Sequence, residues 1–420
     1  MPKISVPSPP RHFTASSVTG VRRIVSAVAD AARRWSDADF PPRVRATRAI
    51  RERTGYTEPV VDYALDALFG ALDADAMLAT IASELGSLDA LERFVARPGR
   101  PDVTYRGVEN VAIVSSDTTI GVALPALAFA LCAGARAIVK DRSDRLIAAF
   151  AETLAQERPE LGARIDASAW DGASDAASHS HLGRADTVIA FGGSDALREL
   201  RAHLKPDALF VPYGHRTSLG YVECESLVDA ESAREVARGI ARDALLYDGD
   251  GCLSLHATFV ERGGNLDAHA FARVLGDAFD EAALEFPAGY ERDAGLEAYR
   301  RSASFRASQG RGATFAGSMG PHLVAYDAPQ DEPPPLVRRT LALYPTDGPD
   351  GALAFIRRHG LPLEALAFGV ADPRADLVTF ARASGASRLA TLGTLQRPPL
   401  AGEHGGYGRI LPFVRAIYRA

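Results

Sequence analysis

The sequence predicts an α/β fold built on parallel sheets and preceded by a helical segment. Three observations lead there. "VENVAIVSS" (108–116) and "ARAIVKD" (135–141) are short, continuously apolar runs on either side of an apolar helical stretch, the pattern of a parallel sheet covered on both faces. The alternation of short apolar run and helix then continues as far as residue 212. Before residue 96, by contrast, the periodicity is helical.

Taken in order, "VRRIVSAVADAARRW", "EPVVDYALDALFGAL" and "MLATIASELGSLDALERFV" each alternate charged and apolar faces and read as helices. The uncharged stretch "IGVALPALAFALCAGA" (120–135) is shorter than a membrane span requires and carries a proline and two glycines, so it reads as a buried helix between two strands. A helix near 143–157, a strand "DTVIAF" (186–191), a helix from Ser194 to Leu204 and a strand "ALFVP" complete a nucleotide-binding type of layout. A second domain is placed from residue 214. It opens with "DAESAREVARGIARDALLY", in which Ala233, Val236, Ala237, Ile240 and Ala244 share one helix face. The interval 319–351, with "DEPPP" and "PTDGPDG", reads as irregular connection broken by the strand "TLALYP". The tail from residue 393 is too rich in Gly and Pro to be one helix before residue 409, and no internal repeat is present.

Composition narrows the function. At 420 residues, 47% apolar and 24% charged, this is an ordinary globular chain long enough for two cores. A net charge of −6 without long single-sign blocks gives no electrostatic footprint for nucleic acid, and favours a small-molecule or acyl-carrier partner. Three scattered cysteines, Cys132, Cys224 and Cys252, suit neither a disulfide framework nor a four-ligand zinc site. No metal is expected. The N-terminus "MPKISVPSPPRHF" has no apolar core of a secretory signal, and the expected location is cytoplasmic.

Chemistry concentrates at three places. Cys252 lies in "LLYDGDGCLSLHATFVE", a glycine-lined loop between a helix and a strand. Such a loop gives an attacking thiolate and an oxyanion access to backbone N–H groups, although a free cysteine is also commonly a small core residue. Asp248 and Asp250, if near the sulfur, raise its pKa. His256, four residues on, is either a neighbour of the thiol or a structural histidine. In "VIAFGGSDALREL", Gly192, Gly193 and Ser194 join a strand end to a helix start, where free N–H groups can hold a pyrophosphate or simply make a tight turn. No G-x-G-x-x-G follows any strand. Lys140 ends the second strand, where parallel sheets bind ligands, and Arg142 and Arg145 follow, a cationic set suited to a ribose or its 2′-phosphate or else a solvated strand end. Cys132 falls inside the apolar helix and reads as core, while Cys224 stands near a strand end between Glu223 and Glu225.

These segments together resemble the aldehyde dehydrogenase superfamily, and within it the LuxC-type acyl-CoA reductases. "YDGDGCLSLHATFVE" is similar to that branch's thiol motif in Gly251-Cys252-Leu253-Ser254 and His256. "AIVKD" resembles the superfamily's cofactor-lysine strand, "FGGS" its nicotinamide-side turn, and "GHRTSLG" the start of its catalytic half. "LGTLQRPPL" and "FVR" are similar to the branch's ending. Ordered motifs cover residues 105–262, and the first hundred residues carry little of the likeness.

The resemblance implies a cofactor domain with its helical preamble over 1–213, a catalytic domain over 214–392, a tail over 393–420, and an active site between the first two. It implies that Cys252 attacks an acyl thioester, acyl-CoA or acyl-carrier protein, and that NADPH (or NADH), held by Lys140, Gly192, Gly193 and Ser194, reduces the acyl-enzyme to an aldehyde. A homo-oligomer or an acyl-transferring partner enzyme fits the same picture. Oxidising members carry a glutamate before Leu-Gly, where this chain has Ser218, 34 residues before the thiol, so the water-activating base is missing. Two other departures are Gly249-Asp250, where the branch has an amide residue, and Asp117, near the slot of an oxyanion-binding asparagine. The rival readings are an oxidising aldehyde dehydrogenase, a cysteine acyltransferase, and a catalytically silent subunit that keeps the fold as a scaffold or ligand-binding protein.

Overall fold

The computed structural model describes residues 18–116, 119–168, 180–290, 293–317, 319–327 and 332–419. Four helices come first: Val18–Trp35, Pro41–Thr54, Glu58–Gly70 and Ala74–Leu85. They form a layer of the molecule rather than an appendage. Trp35, fully buried, stacks on Phe69 with ring centroids 4.9 Å apart, Phe69 stacks on Phe150 at 5.8 Å, and the Trp35 indole N–H donates to Thr153 Oγ1 at 3.1 Å. Burying each such ring contributes about 2–3 kcal/mol. Arg43 of the second helix is buried within this layer and donates its guanidinium to the Trp35 carbonyl and to Asp66 at 2.7 Å.

The strands β1 Val95–Arg97 and β2 Arg100–Gly107 make a hairpin, followed by β3 Asn110–Val114, β4 Arg136–Lys140, β5 Ile165–Ser168, β6 Thr187–Phe191 and β7 Leu209–Tyr213. The seven that follow are β8 Thr217–Val222, β9 Leu255–Glu261, β10 Gly312–Ala316, β11 Leu323–Asp327, β12 Thr340–Thr346, β13 Leu363–Phe368 and β14 Arg388–Thr391. The chain closes with β15 Val414–Arg419. They form three sheets. One has the order β5-β4-β3-β6-β7 and is parallel throughout. Another runs β10-β11-β12-β9-β8-β13-β14, parallel except for the β10–β11 pair. In the third, β2 lies between β1 and β15.

The α/β expectation, with parallel sheets and a helical N-terminal region, holds. The helix Ala123–Cys132 between β3 and β4 buries Leu124, Leu127, Phe129 and Leu131, and Cys132 is core, as its place in that run indicated. Differences fall where apolar content is low. The interval 319–351 contains β11 as well as the expected strand over 340–346, and the hairpin β1–β2 and strand β15 follow neither long apolar runs nor clean alternation. Among the described residues, no helix is long and apolar enough to cross a membrane.

Candidate active site

Cys252 sits between the helix Ala230–Leu245 and β9, in a loop whose backbone is strained. Tyr247 and Asp248 have φ of 57° and 54°, left-handed values that cost about 1–3 kcal/mol per non-glycine residue, and Gly249 follows at 82° without that cost. The strain is held by a clamp. Arg339, fully buried, donates its backbone N–H to the Asp248 carbonyl at 3.0 Å and its guanidinium to Asp248 Oδ1 at 2.8 Å and to the Phe286 carbonyl at 3.0 Å. Its neighbour Arg338 pairs with Asp250 at 2.8 Å. The two loop aspartates are therefore engaged with arginines, and burial pushes both carboxyls up despite those partners.

The thiol itself is half-buried, and burial pushes it up to about 12. The nearby carboxylate that adds to the rise is Glu364, at the start of β13, while Arg216 and the amide N–H groups of Cys252 and Leu253 pull the other way. Glu364 is buried and lies 3.7 Å from Arg216 Nη1. The same amides that favour a thiolate are placed to stabilise an oxyanion formed at that sulfur.

Ser218 proves to be a structural partner of the loop. It is fully buried on β8, and its hydroxyl donates to the Cys252 carbonyl at 2.8 Å. On the other side of the thiol, Gln396 Nε2 donates to Ser254 Oγ at 3.2 Å and to the Asp243 carbonyl at 3.0 Å. The Asp243 carboxylate accepts from the amides of Gly393 at 2.6 Å and Leu395 at 3.2 Å, and burial holds it up at about 7. The tail motif "LGTLQ" is thus fastened to the helix that delivers Cys252. His256 faces away from this network. Its ring bonds the Gly249 backbone, and burial lowers it to about 4, which fits a structural brace for the loop.

The expected cofactor residues lie at the carboxyl ends of the five-stranded sheet. β4 and β5 continue from β3 on one side and β6 and β7 on the other, so the strand order reverses beside β3, where ligands of open parallel sheets bind. Gly193 is the N-cap residue of the helix Ser194–Ala202, with no side-chain cap, so the first-turn amides stay open to an anion. A Cβ on Gly193 would sit 3.2 Å from His215 Nε2, which keeps the turn tight. Gly192 donates to the Tyr213 carbonyl at 3.1 Å. Lys140 ends β4, two strands from this turn, about 10 Å across the sheet. Tyr213 stacks between Phe191 at 4.7 Å and His404 of the tail at 4.1 Å. The charges of Arg216 and Glu364 act on both the Tyr213 hydroxyl and the Cys252 thiol.

One expectation changes. Arg142 is not spare for a ligand, because its guanidinium bonds the carbonyls of Ser115 and Ser116 at the end of β3. Cys224 lies beyond the carboxyl end of β8, whereas Cys252 precedes the amino end of β9. There Cys224, Glu225 and Glu261 gather, with Arg374 bonding both glutamates. Asp117 lies outside the described residues. Arg338, Arg339, Glu364, Arg216, Gln396 and Asp243 escaped sequence reasoning, since each meets the thiol loop only through long-range packing.

The five- and seven-stranded parallel sheets together form an aldehyde dehydrogenase-like fold. The fold matches an NAD-dependent benzaldehyde dehydrogenase from Corynebacterium glutamicum (TM-score 0.64, 15% identity, 95% of this chain and 86% of that one). It also matches lactaldehyde dehydrogenase from Escherichia coli (0.65, 12%, 96% and 87%). A third match is the glyceraldehyde-3-phosphate dehydrogenase of Methanocaldococcus jannaschii, solved with NADP (0.66, 10%, 96% and 89%). No curated relative matches the sequence. Residues 17–416 match the acyl-CoA reductase (LuxC) family, and the chain belongs to it.

Proposed function

We propose that this protein reduces an acyl thioester, acyl-CoA or acyl-carrier protein, to an aldehyde with NADPH, through an acyl group carried on Cys252. The observation that carries the reading is Ser218. Its hydroxyl is committed to the Cys252 carbonyl at 2.8 Å, so the slot where oxidising relatives hold a water-activating base contains none. A thioester formed on Cys252 then has no water-activating base at that slot, which favours its survival until a hydride arrives.

In this reading the Cys252 sulfur, after losing its proton, attacks the thioester carbonyl. The amides of Cys252 and Leu253 hold the oxyanion, and its collapse expels the carrier thiolate, which takes up a proton. Bound NADPH supplies the hydride that adds to the new thioester carbon. The second oxyanion rests on the same amides, and its collapse releases aldehyde and the Cys252 thiolate. Gly192, Gly193 and Ser194 suit the cofactor because two residues without Cβ precede an uncapped helix start, and Lys140 suits its ribose or 2′-phosphate from the end of β4. Residues 1–213 then form the cofactor half and 214–392 the catalytic half, with 393–420 as the C-terminal tail.

A second reading, a silent subunit, draws on one observation: the thiol is held at about 12. Intact-protein mass spectrometry after mixing with acyl-CoA separates the two. A single acyl adduct, absent in Cys252→Ala and discharged as aldehyde on adding NADPH, supports the reductase. Labelling of Cys132 or Cys224 instead, or no adduct, overturns it.

A further inference from the structure

An open cavity of about 490 Å³ lies on the side of the thiol loop formed by the first helices. Its floor is a backbone-to-backbone contact. Gly55, in the left-handed conformation at φ 76°, ends the helix Pro41–Thr54, and Gly289 packs so closely that a Cβ there would meet the Gly55 carbonyl oxygen at 1.7 Å. Thr57 fastens the same junction by donating its hydroxyl to the Pro287 carbonyl at 2.9 Å. One wall is Tyr56, whose ring centroid lies 6.0 Å from that of Tyr247. Tyr247 is five residues before Cys252, so at most about 18 Å of chain separates them.

The rim is cationic. Arg48 and Arg51 line the cavity, and both are exposed. Arg48 has no ion pair among the described residues. Arg51 holds Glu58 at 2.7 Å, but both side chains are about half exposed, and such surface pairs are weak enough for a phosphate to displace. Glu52 is the opposing charge at the rim. Nothing in the fold requires these arginines for packing, since the helix buries Arg43, Ala46 and Ile50 instead. A concave, arginine-edged cavity beside a reactive loop is suited to a phosphorylated nucleotide handle.

We infer that this cavity seats the 3′-phosphoadenosine diphosphate end of the acyl-CoA substrate, with Arg48 and Arg51 on its phosphates and the pantetheine arm passing Tyr56 and Tyr247 toward Cys252. The inference rests on the thioester reading above. It makes the N-terminal helices the part of the chain that tells CoA from a bare thioester.

The test uses the full chain. Calorimetry with free CoA and with adenosine 3′,5′-bisphosphate, on the Cys252→Ala protein, should show binding of both. Arg48→Glu, and separately Arg51→Gln, should weaken each by about tenfold or more, the loss expected for one charge-assisted contact. In parallel, Cys252 acylation is followed with acyl-CoA and with the same acyl group on N-acetylcysteamine, which has no phosphate. Arg48→Glu should slow the first and leave the second within twofold. Equal CoA binding by Arg48→Glu and the unmodified protein overturns the inference. Preference for adenosine 2′,5′-bisphosphate over the 3′,5′ isomer overturns it in favour of the NADPH nucleotide, and acylation by a carrier protein but not by CoA overturns it in favour of a protein partner. If neither thioester acylates Cys252 while CoA binding still depends on Arg48, the nucleotide site stands and the thioester-reductase reading falls.

Discussion

Replacing Glu364 by glutamine should make Cys252 more reactive. Burial holds the thiol at about 12, Glu364 adds to that rise and Arg216 opposes it. At pH 7.5 a thiol with such a pKa is ionised to only about 3 parts in 10⁵. In an effective dielectric of about 20, a unit charge 6–10 Å away contributes about 2–3 kcal/mol, or about 1–2 pKa units. Glu364→Gln keeps the shape and removes the charge, and it also frees Arg216, now 3.7 Å away, to act on the sulfur alone. Both effects lower the thiol pKa. The thiolate fraction then rises by about 10–100-fold, while each thiolate loses nucleophilicity with a Brønsted slope of about 0.4–0.5, leaving a net gain of about 3–16-fold. Arg216→Gln should move the rate the other way. The assay is the pH dependence of iodoacetamide labelling, with peptide mass spectrometry assigning the label to Cys252. An unchanged or slower Cys252 reaction in Glu364→Gln would show that Glu364 is not the charge holding the thiol neutral.

Ser218→Ala leaves the Cys252 carbonyl without its 2.8 Å donor and should cost about 1–3 kcal/mol in urea unfolding. Ser218→Glu should instead divert product from aldehyde to acid, since a positioned base contributes about 10²–10⁴-fold to the step it serves; an unchanged aldehyde-to-acid ratio would argue against this slot as the water-activating position. Arg339→Met strands the buried Asp248 carboxylate and should cost on the order of 3–5 kcal/mol by the same measurement, far more than Arg338→Met at its half-exposed pair. Two buried histidines should make part of the stability acid-labile. His256 and His322 are lowered to about 4 by burial, so they stay neutral when folded while the unfolded chain takes up protons below pH 6.5. Their contribution is thus full above pH 6.5 and is lost as the pH drops toward 4, by about 3 kcal/mol per histidine, while Asp243, raised by burial to about 7, acts in the opposite sense over the same range; unfolding free energies of His256→Gln and His322→Gln compared with the unmodified protein across that window check it.

Sequence reasoning reached the elements whose information is local. The buried parallel strands β3 and β6 declare themselves because they are almost wholly apolar, and Cys252 declares itself because glycines surround it. What stayed hidden depends on contacts between distant segments. Nothing in "VRRT" announces that Arg338 and Arg339 meet two aspartates 88 and 91 residues earlier. Gln396 reaches Ser254 across 142 residues, and Glu364 reads as the one polar residue of an apolar strand. The strands β2 and β15 escaped for a different reason. Most of their side chains are exposed or half-exposed and several are arginines, so neither an apolar run nor clean alternation marks them.

The exchange of a carboxylate for Ser218 bears on the chemistry twice. A glutamate at that position would supply a base for water, and it would place a second negative charge near a thiol that Glu364 already helps to hold at about 12. By the same Coulomb estimate, that second charge would add about 1–2 pKa units, leaving still less thiolate for the first step. Serine avoids both effects. Its hydroxyl donates to the Cys252 carbonyl, while Gln396 fixes Ser254 and Arg339 holds the left-handed turn at Asp248, so the residues on either side of the thiol are pinned before any substrate arrives. In the proposed reaction that rigidity matters most at the two oxyanion stages, because the amides of Cys252 and Leu253 need no reorganisation to receive the charge. In the proposed reaction, Ser218 thus withholds a base for water while the amides beside Cys252 serve both acyl transfer and hydride addition.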